Sequence, residues 1–336
     1  MSLILAFESS CDDTSVAILD TNYRVYANLI SSQPQHLDFG GVLPELASRL
    51  HMKNILQLTD MALSKAGYQL CDIDAVCVSI NPGLIGSLIV GLSFAKSLAW
   101  ALGKPLVTVN HLLSHIFANY IDHPALEAPF MALVVSGGHT EMVHFTSETE
   151  FEIQGKTLDD AAGETFDKAA KLMGLGFPGG PILDKLSRGG NPEFFRFPRA
   201  LPKKDDFNFS YSGVKTAIRS YLQDQNPDFI QAHQADLAAS IQAAIIEPLI
   251  KKTIRKSKQL KLRRILLAGG VAANSALREQ MSREAAETGI EVYYPSLGLC
   301  MDNAAMVAAA AIPKYKAGLF AGLDVNASSQ KGTKLL

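Results

Sequence analysis

The sequence predicts an α/β protein built from two lobes of similar architecture. Strand-like apolar segments alternate with helical segments along the chain, which indicates mixed sheets covered by helices. A strand, a short polar turn and a second strand occur near the amino terminus and again near residue 130. Because each half of the chain opens in the same way, we expect a duplicated fold with a cleft between its halves.

The two matching openings are short strand pairs. Near the amino terminus, Leu3–Phe7 and Ser15–Leu19 flank a polar turn. In the second half, Phe130–Val135 and Glu141–Phe145 flank the small turn Ser136–Thr140. Apolar segments of this length, joined by a few polar or glycine residues, are typical of hairpins.

A strand followed by a helix comes later in each half. Ile73–Ile80 precedes an apolar helix over Leu84–Leu102, which we interpret as buried because Lys96 and several serines interrupt any membrane span. In the second half, Arg264–Ala268 precedes a helix over Ala273–Thr288. Both units are typical of the α/β class.

Length and composition fit two folded lobes. The 336 residues are 48% hydrophobic, and we expect a first lobe over 1–128, with a contribution from about 303–330, and a second over 129–302. The formal charge of −2 indicates no global basic field. The four cysteines form no CxxC pair and the amino terminus has no signal-peptide pattern, so we expect reduced thiols in the cytoplasm.

A histidine pair is the first candidate for chemistry. His111 and His115 follow the predicted strand Leu106–Val109 and lie four residues apart, so both imidazoles point to one side of a helix. Such a pair is also common on polar surfaces and in cores. The third donor that we expect is Asp302, whose alternative role is to cap the alanine-rich helix after it. Two imidazoles and a carboxylate leave coordination positions open and suit Fe(II) or Zn(II).

An acidic turn follows the first strand. Glu8, Asp12 and Asp13 can position a metal, accept protons or hold a substrate amine there. The alternative is a turn that caps itself with its own side chains. Since Glu8 ends a strand expected to be buried, its carboxylate needs a partner.

Glycine pairs end three of the predicted elements. They are Gly137 with Gly138, Gly179 with Gly180 before a helix that has proline at its first position, and Gly269 with Gly270 before a helix carrying Asn274. Adjacent glycine amides suit phosphate or carboxylate oxygens, although glycine pairs also simply turn hairpins. Three pairs that face one cleft would suit a nucleotide.

Two carboxylates lie on helices near these turns. Asp167 belongs to an amphipathic helix, where it is either a surface carboxylate beside Lys168 and Lys171 or, next to Asp184, a partner for ribose hydroxyls. Spacing alone favours the surface role.

The clearest basic stretch begins at Lys251 and ends at Arg264, after a long aperiodic loop over residues 189–208. It is either a solvated helix face or a surface for backbone phosphates. Loops of such length are more often functional than idle.

Taken together, the motifs resemble one family. They follow in order over nearly the whole chain: FESSCDDTS, GGVLPELASRLH, NPGLIGSL, HLLSH, VSGGHT, LDDAAGETFDKAAKLMGLGFPGGP, FNFSYSGVKT, AGGVAANSALR and CMDNAAM. This series is similar to the signatures of the bacterial tRNA N6-adenosine threonylcarbamoyltransferase family, TsaD, and its archaeal and eukaryotic relatives.

The resemblance implies the ASKHA fold of actin, heat-shock chaperones and sugar kinases. It also implies that threonylcarbamoyl-AMP is bound between the lobes and that its threonylcarbamoyl group passes to N6 of adenosine-37 in tRNAs that read codons beginning with adenine, with release of AMP. A TsaB-like paralogue and a TsaE-like ATPase are the implied partners, with an exposed helix face of the first lobe as the contact. No membrane is implied.

The resemblance also assigns residues. His111, His115 and Asp302 would bind one divalent metal ion, with Fe(II) favoured and Zn(II) the alternative. Glu8, Asp12 and Asp13 belong to the turn associated with catalysis. The residues that would contact the adenylate are Val134, Val135, Ser136, Gly137, Gly138, Asp167, Gly180, Asp184 and Asn274.

Two positions depart from the family pattern. Asp13 stands where glutamate is usual, which shortens a candidate base by one methylene group. Asn81 replaces the usual glycine of a GPGL turn, and we expect this change to alter only the turn geometry.

The implied reaction requires that the adenine amine lose a proton, which we assign to Asp12 or Asp13. The base must also leave its stack, and Phe207, Phe209 and Tyr211 are candidates to stack on it. The alternatives are an ATP-dependent kinase or carbamoyltransferase of the same fold, a non-catalytic scaffold, and a metallopeptidase. The metallopeptidase lacks its base, because Leu112 stands where an HExxH motif has glutamate.

Overall fold

The computed structural model describes residues 1–39, 41–199, 201, 203 and 205–329. The chain forms two compact units. Unit 1 consists of Met1–Leu126 and Pro295–Leu336, and unit 2 consists of Glu127–Tyr294. Gly40, which opens one of the family motifs, and residues 200, 202 and 204 of the long loop lie outside the described residues. The domain limits expected from the sequence stay a prediction.

The helices and strands account for most of both units. The strands are β1 Leu3–Glu8, β2 Thr14–Asp20, β3 Val25–Ser31, β4 Ala75–Asn81, β5 Leu106–Asn110, β6 Phe130–Val135, β7 Thr140–Phe145, β8 Phe151–Lys156, β9 Arg264–Ala268 and β10 Glu291–Tyr293. The helices are α1 Pro44–Ala66, α2 Ile85–Leu102, α3 His111–Phe117, α4 Asn119–Asp122, α5 Ala162–Leu172, α6 Gly179–Leu186, α7 Ser212–Gln223, α8 Pro227–Ala232, α9 Gln234–Gln259, α10 Ser275–Ala286, α11 Leu297–Cys300 and α12 Ala304–Lys316. Short 3₁₀ turns cover Pro34–Phe39, Leu70–Asp72 and Gly270–Ala273.

Unit 1 is built on a mixed sheet whose described strands follow the order β3-β2-β1-β4-β5. The first three strands are antiparallel neighbours, with Leu3 opposite Asp20 and Glu8 opposite Ser15 in the first pair. β4 is parallel to β1, and β5 is parallel to β4. Every residue of β1 and β2 is buried, which is typical of the central strands of a sheet covered by helices.

Unit 2 repeats this arrangement. Its described strands follow the order β10-β9-β6-β7-β8, in which β6, β7 and β8 are antiparallel neighbours. β9 is parallel to β6 and β10 is parallel to β9. Three antiparallel strands followed by two parallel strands therefore occur in both units. The prediction of a duplicated α/β fold is confirmed.

The predicted hairpins are confirmed at β1–β2 and β6–β7. The helix predicted over Ala273–Thr288 is shorter, because Gly270–Ala273 forms a 3₁₀ turn and the Asn274 side chain accepts a hydrogen bond from Leu277 N at the start of α10. The edge strands β3 and β8 have no clear alternation of buried and exposed residues. That irregular pattern explains why sequence periodicity did not reveal them.

The prediction that the helix Leu84–Leu102 is buried is wrong for one of its faces. α2 contacts α1 and β4, where Leu88, Leu92 and Ala95 are buried, but Ile89 and Trp100 are 50% and 74% exposed. Among the described residues, α2 is the one helix with the length and composition of a membrane span, and 33% of it is buried. One helix of this kind is weak evidence for a membrane protein.

α12 belongs to unit 1, although it lies near the carboxyl-terminal end of the sequence. Ten consecutive residues, from Ala304 to Pro313, are buried where this helix contacts α3 and the strands of the sheet. Its many alanines allow this close approach on all sides while keeping high helix propensity. The residue that precedes its cap, Asp302, is thereby held in the unit that contains α3.

Candidate metal centre and adenylate site

α3 brings the two histidines together. Asn110 caps the helix, because its side-chain oxygen accepts hydrogen bonds from Leu112 N and Leu113 N. His111 and His115 follow on one face of the helix. They are 8% and 2% exposed, and their ring centroids lie 4.9 Å apart. The cap and the i, i+4 spacing therefore place both imidazoles in the interior of unit 1.

Asn81, one of the departures from the family pattern, ends β4 and lies opposite Asn110, the residue that caps this helix. Its side-chain oxygen accepts a hydrogen bond of 3.0 Å from Asn110 Nδ2. The expectation that Asn81 alters only its own turn is therefore wrong, since it also orients the residue that caps α3. A glycine at this position has no side chain to do so.

Asp302 completes the group. Its Oδ1 lies 3.1 Å from His115 Nε2 and 3.5 Å from His111 Nε2. One ligand atom from each of the three residues lies within 4.8 Å of the other two. The alternative that Asp302 caps α12 is wrong, because the cap is Asn303, whose side chain accepts a hydrogen bond from Met306 N. The Asp302 carboxylate is thus directed to the histidines rather than to the helix.

The donor set fits a divalent metal ion. Nδ1 of His115 is buried and has no hydrogen-bond partner in the described part of the chain. A carboxylate shared by two imidazoles is a donor set that divalent transition metals favour, and three protein donors leave positions for substrate or water. The residues that would hold the ion are His111, His115 and Asp302.

Glu8 lies directly behind His111. It is 1% exposed, its Oε2 lies 3.0 Å from His111 Nδ1, and its Oε1 accepts a hydrogen bond of 2.6 Å from Ser10 N. Burial favours the neutral acid, but the charge of His111 and the hydrogen bond between them outweigh burial and hold the pKa of Glu8 below its usual value. Burial likewise opposes protonation of the ring, yet the carboxylates of Glu8 and Asp302 raise the pKa of His111 to about 9. A carboxylate on Nδ1 leaves Nε2 directed to Asp302.

His51 on α1 anchors the acidic turn, a contact that sequence reasoning missed. Its Nε2 donates to the Cys11 carbonyl at 2.9 Å and its Nδ1 accepts from Thr14 Oγ1 at 2.7 Å. Burial lowers the pKa of His51, which agrees with a neutral ring in this pairing. His51 ends the motif GGVLPELASRLH, but the spacing of that motif indicates no partner for its side chain.

Asp13 occupies a half-buried position in the same turn. Burial raises the pKa of its carboxyl, a hydrogen bond with Ser32 opposes the shift, and the charges of Asp12, Asp302 and Glu8 add to it. A carboxyl whose pKa is raised towards neutrality is better suited to accept a proton than an ordinary surface aspartate.

In unit 2, the turn after β6 lies against the start of α5. Ser136 N donates to the His139 carbonyl, and Glu164 N donates to the Gly137 carbonyl. Gly163 is required there, because a Cβ on it would lie 2.5 Å from the Ser136 carbonyl oxygen. Of the residues expected to contact the adenylate here, Val134 and Val135 end β6 and are buried, Ser136 is partly buried, and Gly137 and Gly138 are exposed in the turn.

The turn between β9 and the following 3₁₀ turn lies against the same segment. Gly269 has a φ of +85°, and a Cβ on it would meet the Val135 carbonyl at 2.5 Å. The first and third glycine pairs are therefore brought together in unit 2.

The second glycine pair is held by Asp167. The carboxylate accepts a hydrogen bond of 2.7 Å from Gly179 N, which starts α6. One expectation needs correction here. Pro181 is not the first helical residue, because the helix already begins at Gly179. The neighbouring Lys168 pairs with Glu164 and Asp160.

Asp184 joins α6 to α10. Its Oδ1 accepts hydrogen bonds from Ser275 N at 3.1 Å and from Ser275 Oγ at 2.9 Å. The neighbouring Asn274 donates from Nδ2 to Gln242 Oε1. Asp167 is therefore hydrogen-bonded to the start of the Gly179–Gly180 segment, and Asp184 is hydrogen-bonded to Ser275, the residue that follows Asn274.

Two of the three aromatic stacking candidates are unsuitable. Phe209 is 1% exposed and Tyr211 is fully buried, with its hydroxyl donating to the Ile245 carbonyl. Burial also raises the pKa of Tyr211. Phe207 is partly buried, and Lys256 Nζ lies 4.8 Å from its ring centroid. The expectation that Phe209 and Tyr211 stack on a base is wrong, because they belong to the core of unit 2.

The fold belongs to the ASKHA class. Solved structures with a similar fold include HypF from T. kodakarensis, with a TM-score of 0.64 and 13% identity over 95% of this chain and 48% of that one. Component A of the (R)-2-hydroxyglutaryl-CoA dehydratase of Acidaminococcus fermentans has a TM-score of 0.56 and 14% identity over 94% of this chain and 99% of that one. At these identities the similarity concerns the fold alone.

Sequence comparison is more specific. Residues 24–309 match the TsaD family, described as tRNA N6-adenosine threonylcarbamoyltransferase. A relative of that name from Moorella thermoacetica is 50% identical over 325 residues, which cover 96% of this chain and 95% of that protein. Another from Clostridium perfringens strain SM101 is 49% identical over 97% of this chain and 96% of that protein. The chain belongs to the TsaD family.

Proposed function

We propose that this protein transfers the threonylcarbamoyl group of threonylcarbamoyl-AMP to N6 of adenosine-37 in tRNAs that read codons beginning with adenine. Its membership of the TsaD family supports the transfer and the tRNA acceptor. The observation that carries the proposal is the group of His111, His115 and Asp302, with Glu8 behind it. An ordinary scaffold has no need of such a buried donor set.

The three residues would hold one divalent ion, for which we favour Fe(II) over Zn(II). Such an ion would supply Lewis-acid polarisation of the acyl oxygen or an anchor for the substrate. Glu8, expected among the catalytic carboxylates, acts as a positioning residue, because it contacts His111 Nδ1 and fixes which ring nitrogen faces the ion.

Unit 2 binds the adenylate. The exposed amides of Gly137 and Gly138 suit oxygen atoms of the nucleotide, since no Cβ obstructs them. Asp167 of α5 accepts a hydrogen bond from the start of α6, Asp184 of α6 accepts one from the start of α10, and Asn274 caps α10. We assign these three side chains, together with Gly180, to hydroxyl groups of the nucleotide.

The reaction forms a bond between N6 of adenosine and the carbamoyl carbon, and breaks the bond between that carbon and the phosphate oxygen of AMP. The electron pair leaves with AMP, and the proton of the amine passes to a carboxylate. We assign that carboxylate to Asp12 or Asp13. The raised pKa of Asp13 supports it as the acceptor.

A TsaB-like paralogue and a TsaE-like ATPase complete the system in the cytoplasm. We place the contact with the paralogue on the exposed apolar side chains of α1 and α2 in unit 1. They include Met52, Leu56 and Met61, at 68%, 61% and 51% exposure, and Trp100. Apolar side chains grouped in this way favour a protein partner.

The test uses transcript tRNA and pre-formed threonylcarbamoyl-AMP, with the purified chain alone and with both partners. Mass analysis of digested tRNA is expected to show N6-threonylcarbamoyladenosine at position 37 and an equal amount of AMP. Absence of the modified nucleoside under every combination, or consumption of ATP without it, would overturn the proposal. The second result would instead support a kinase.

A further inference from the structure

A basic pocket lies on unit 2, and its lining includes none of the residues assigned to the adenylate. It has a volume of about 200 Å³ and lies between α9 and the end of the long loop. Its cationic lining residues are Arg199 and Lys203 from the loop, and Lys251, Lys252 and Arg255 from the helix. Glu247 is the acidic residue of its lining. Five cations and one anion leave a strong local excess of positive charge on a chain whose net charge is −2.

Glu247 holds the two walls of this pocket in place. Its carboxylate accepts hydrogen bonds from Arg199 Nη2 at 2.7 Å and Nε at 3.2 Å, and from Lys251 Nζ at 3.2 Å. A fork of this kind fixes the guanidinium more firmly than a single contact does. Arg199 Nη1 also donates to the Phe197 carbonyl, so this guanidinium is held by two groups.

Lys252 points to an anionic ligand most directly. The residue is 4% exposed, and its ammonium group donates to the Asn208 carbonyl and lies 5.6 Å from the Phe209 ring centroid. Burying a cation is costly unless an opposite charge compensates for it. Burial and the charge of Arg255 lower the pKa of Lys252, even though the charge of Asp206 opposes this shift. A phosphate in the pocket would add a further negative charge and favour the ammonium form.

The size of the pocket selects the ligand. Sites that enclose a whole small molecule usually measure about 300–1,000 Å³, and this one is smaller. Among the described residues, the apolar part of the lining consists of Leu201 and Pro248, so none of them offers an aromatic ring to stack on a base. The chemistry therefore favours a phosphate group that belongs to a larger molecule.

We propose that this pocket binds a backbone phosphate of tRNA. The inference rests on the proposed function, because that function supplies tRNA as the acceptor. A contact of this kind fixes the position of the RNA without reading its sequence. The proposal assigns the phosphate contact to one part of the basic stretch only. Lys251, Lys252 and Arg255 line the pocket, and Lys258 does not.

The test measures tRNA affinity of the full chain at several salt concentrations. The variants are Lys251→Glu on the helix wall, Lys203→Glu on the loop wall, and Lys258→Glu as a matched exposed lysine on the same helix. We expect each pocket variant to weaken tRNA binding about tenfold and to lower the slope of log affinity against log salt by about 0.7–0.9 for each lost contact. Lys258→Glu should stay within about twofold of wild type, since it loses no such contact.

AMP binding, measured on the same proteins, separates the sources of the phosphate. Unchanged AMP affinity together with weaker tRNA binding supports the inference. Wild-type tRNA affinity in both pocket variants, or loss of AMP binding without loss of tRNA binding, would overturn it. If the wild-type chain binds tRNA through this pocket but never transfers the threonylcarbamoyl group, the proposed function fails and the inference stands.

Discussion

Oε2 of Glu8 lies 3.0 Å from Nδ1 of His111, at the point where the first strand of unit 1 ends beside the start of α3. A carboxylate on one ring nitrogen fixes the tautomer of a histidine and raises the basicity of the other nitrogen. The acidic turn and the histidine helix are therefore parts of one arrangement, although about a hundred residues separate them in sequence.

Replacing Glu8 by Gln is expected to weaken metal binding about 10- to 100-fold, because His111 loses the charged partner that orients it. Metal affinity is measured by competition with a chelator of known strength. The exposed Glu150→Gln serves as the control and should bind metal like wild type. Unchanged affinity in Glu8→Gln would contradict the positioning role.

Asp302 and Asn303 are adjacent but should give different phenotypes. Asp302→Asn is expected to lose metal and, in the metal-free protein, to lose only its pairing with His111 and His115, because this carboxylate does not cap α12. Asn303→Ala should lower the free energy of unfolding by about 1 kcal/mol, because it removes the cap. Denaturant unfolding with and without chelator measures both effects. Equal destabilisation by the two substitutions would argue against this division.

Asp167 allows a structural role to be separated from ligand binding. Asp167→Ala should destabilise the protein by about 1 kcal/mol, because Gly179 N loses its acceptor at the start of α6. Asp167→Asn keeps an acceptor oxygen, so it should retain most of the stability while weakening AMP binding. Thermal unfolding and calorimetric titration with AMP measure the two properties. If both variants bind AMP like wild type, Asp167 only supports the helix.

Asp159 predicts a pH dependence of stability. Burial opposes its charge, but the hydrogen bonds from Ser210, Tyr211 and Ser212 together outweigh burial and lower its pKa to about 2. A lowered folded-state pKa stabilises the protein above the unfolded-state value of about 3.9, and the stabilisation disappears as the pH falls towards 2.

The stability difference between wild type and Asp159→Asn should therefore be full at neutral pH and should shrink progressively below pH ~4. Urea unfolding at a series of pH values measures it, with the exposed Asp60→Asn as a control that shows no such trend. A difference that stays constant down to pH ~2 would show that the charge of Asp159 does not stabilise the start of α7.

The elements that the sequence predicts best are those with strong local signals. The buried strands β1, β6 and β9 have continuous apolar runs, and the duplicated hairpins repeat one pattern. The i, i+4 spacing of His111 and His115 is also local, so a helix places them together whatever the rest of the fold does.

Other features depend on tertiary contacts that no local pattern encodes. Neither the pairing of His51 with the Cys11 carbonyl nor the contact of Asn81 with Asn110 has a sequence signal, because the partners are 40 and 29 residues apart. The sequence predicts Phe209 and Tyr211 as residues that stack on a base, and this is wrong. Whether their rings are exposed depends on their packing against α9, which no local pattern encodes. The roles of Asp12 and Asp13 stay predictions.

The most direct test of the account is the rate of threonylcarbamoyl transfer to tRNA as Fe(II) is returned to the chelated protein. We expect no transfer without metal, and a rate that rises in proportion to bound metal until each chain holds a single ion. Asp302→Ala and His111→Ala should neither bind the ion nor recover activity. Full transfer by the chelated wild-type protein, or by Asp302→Ala, would contradict the central claim.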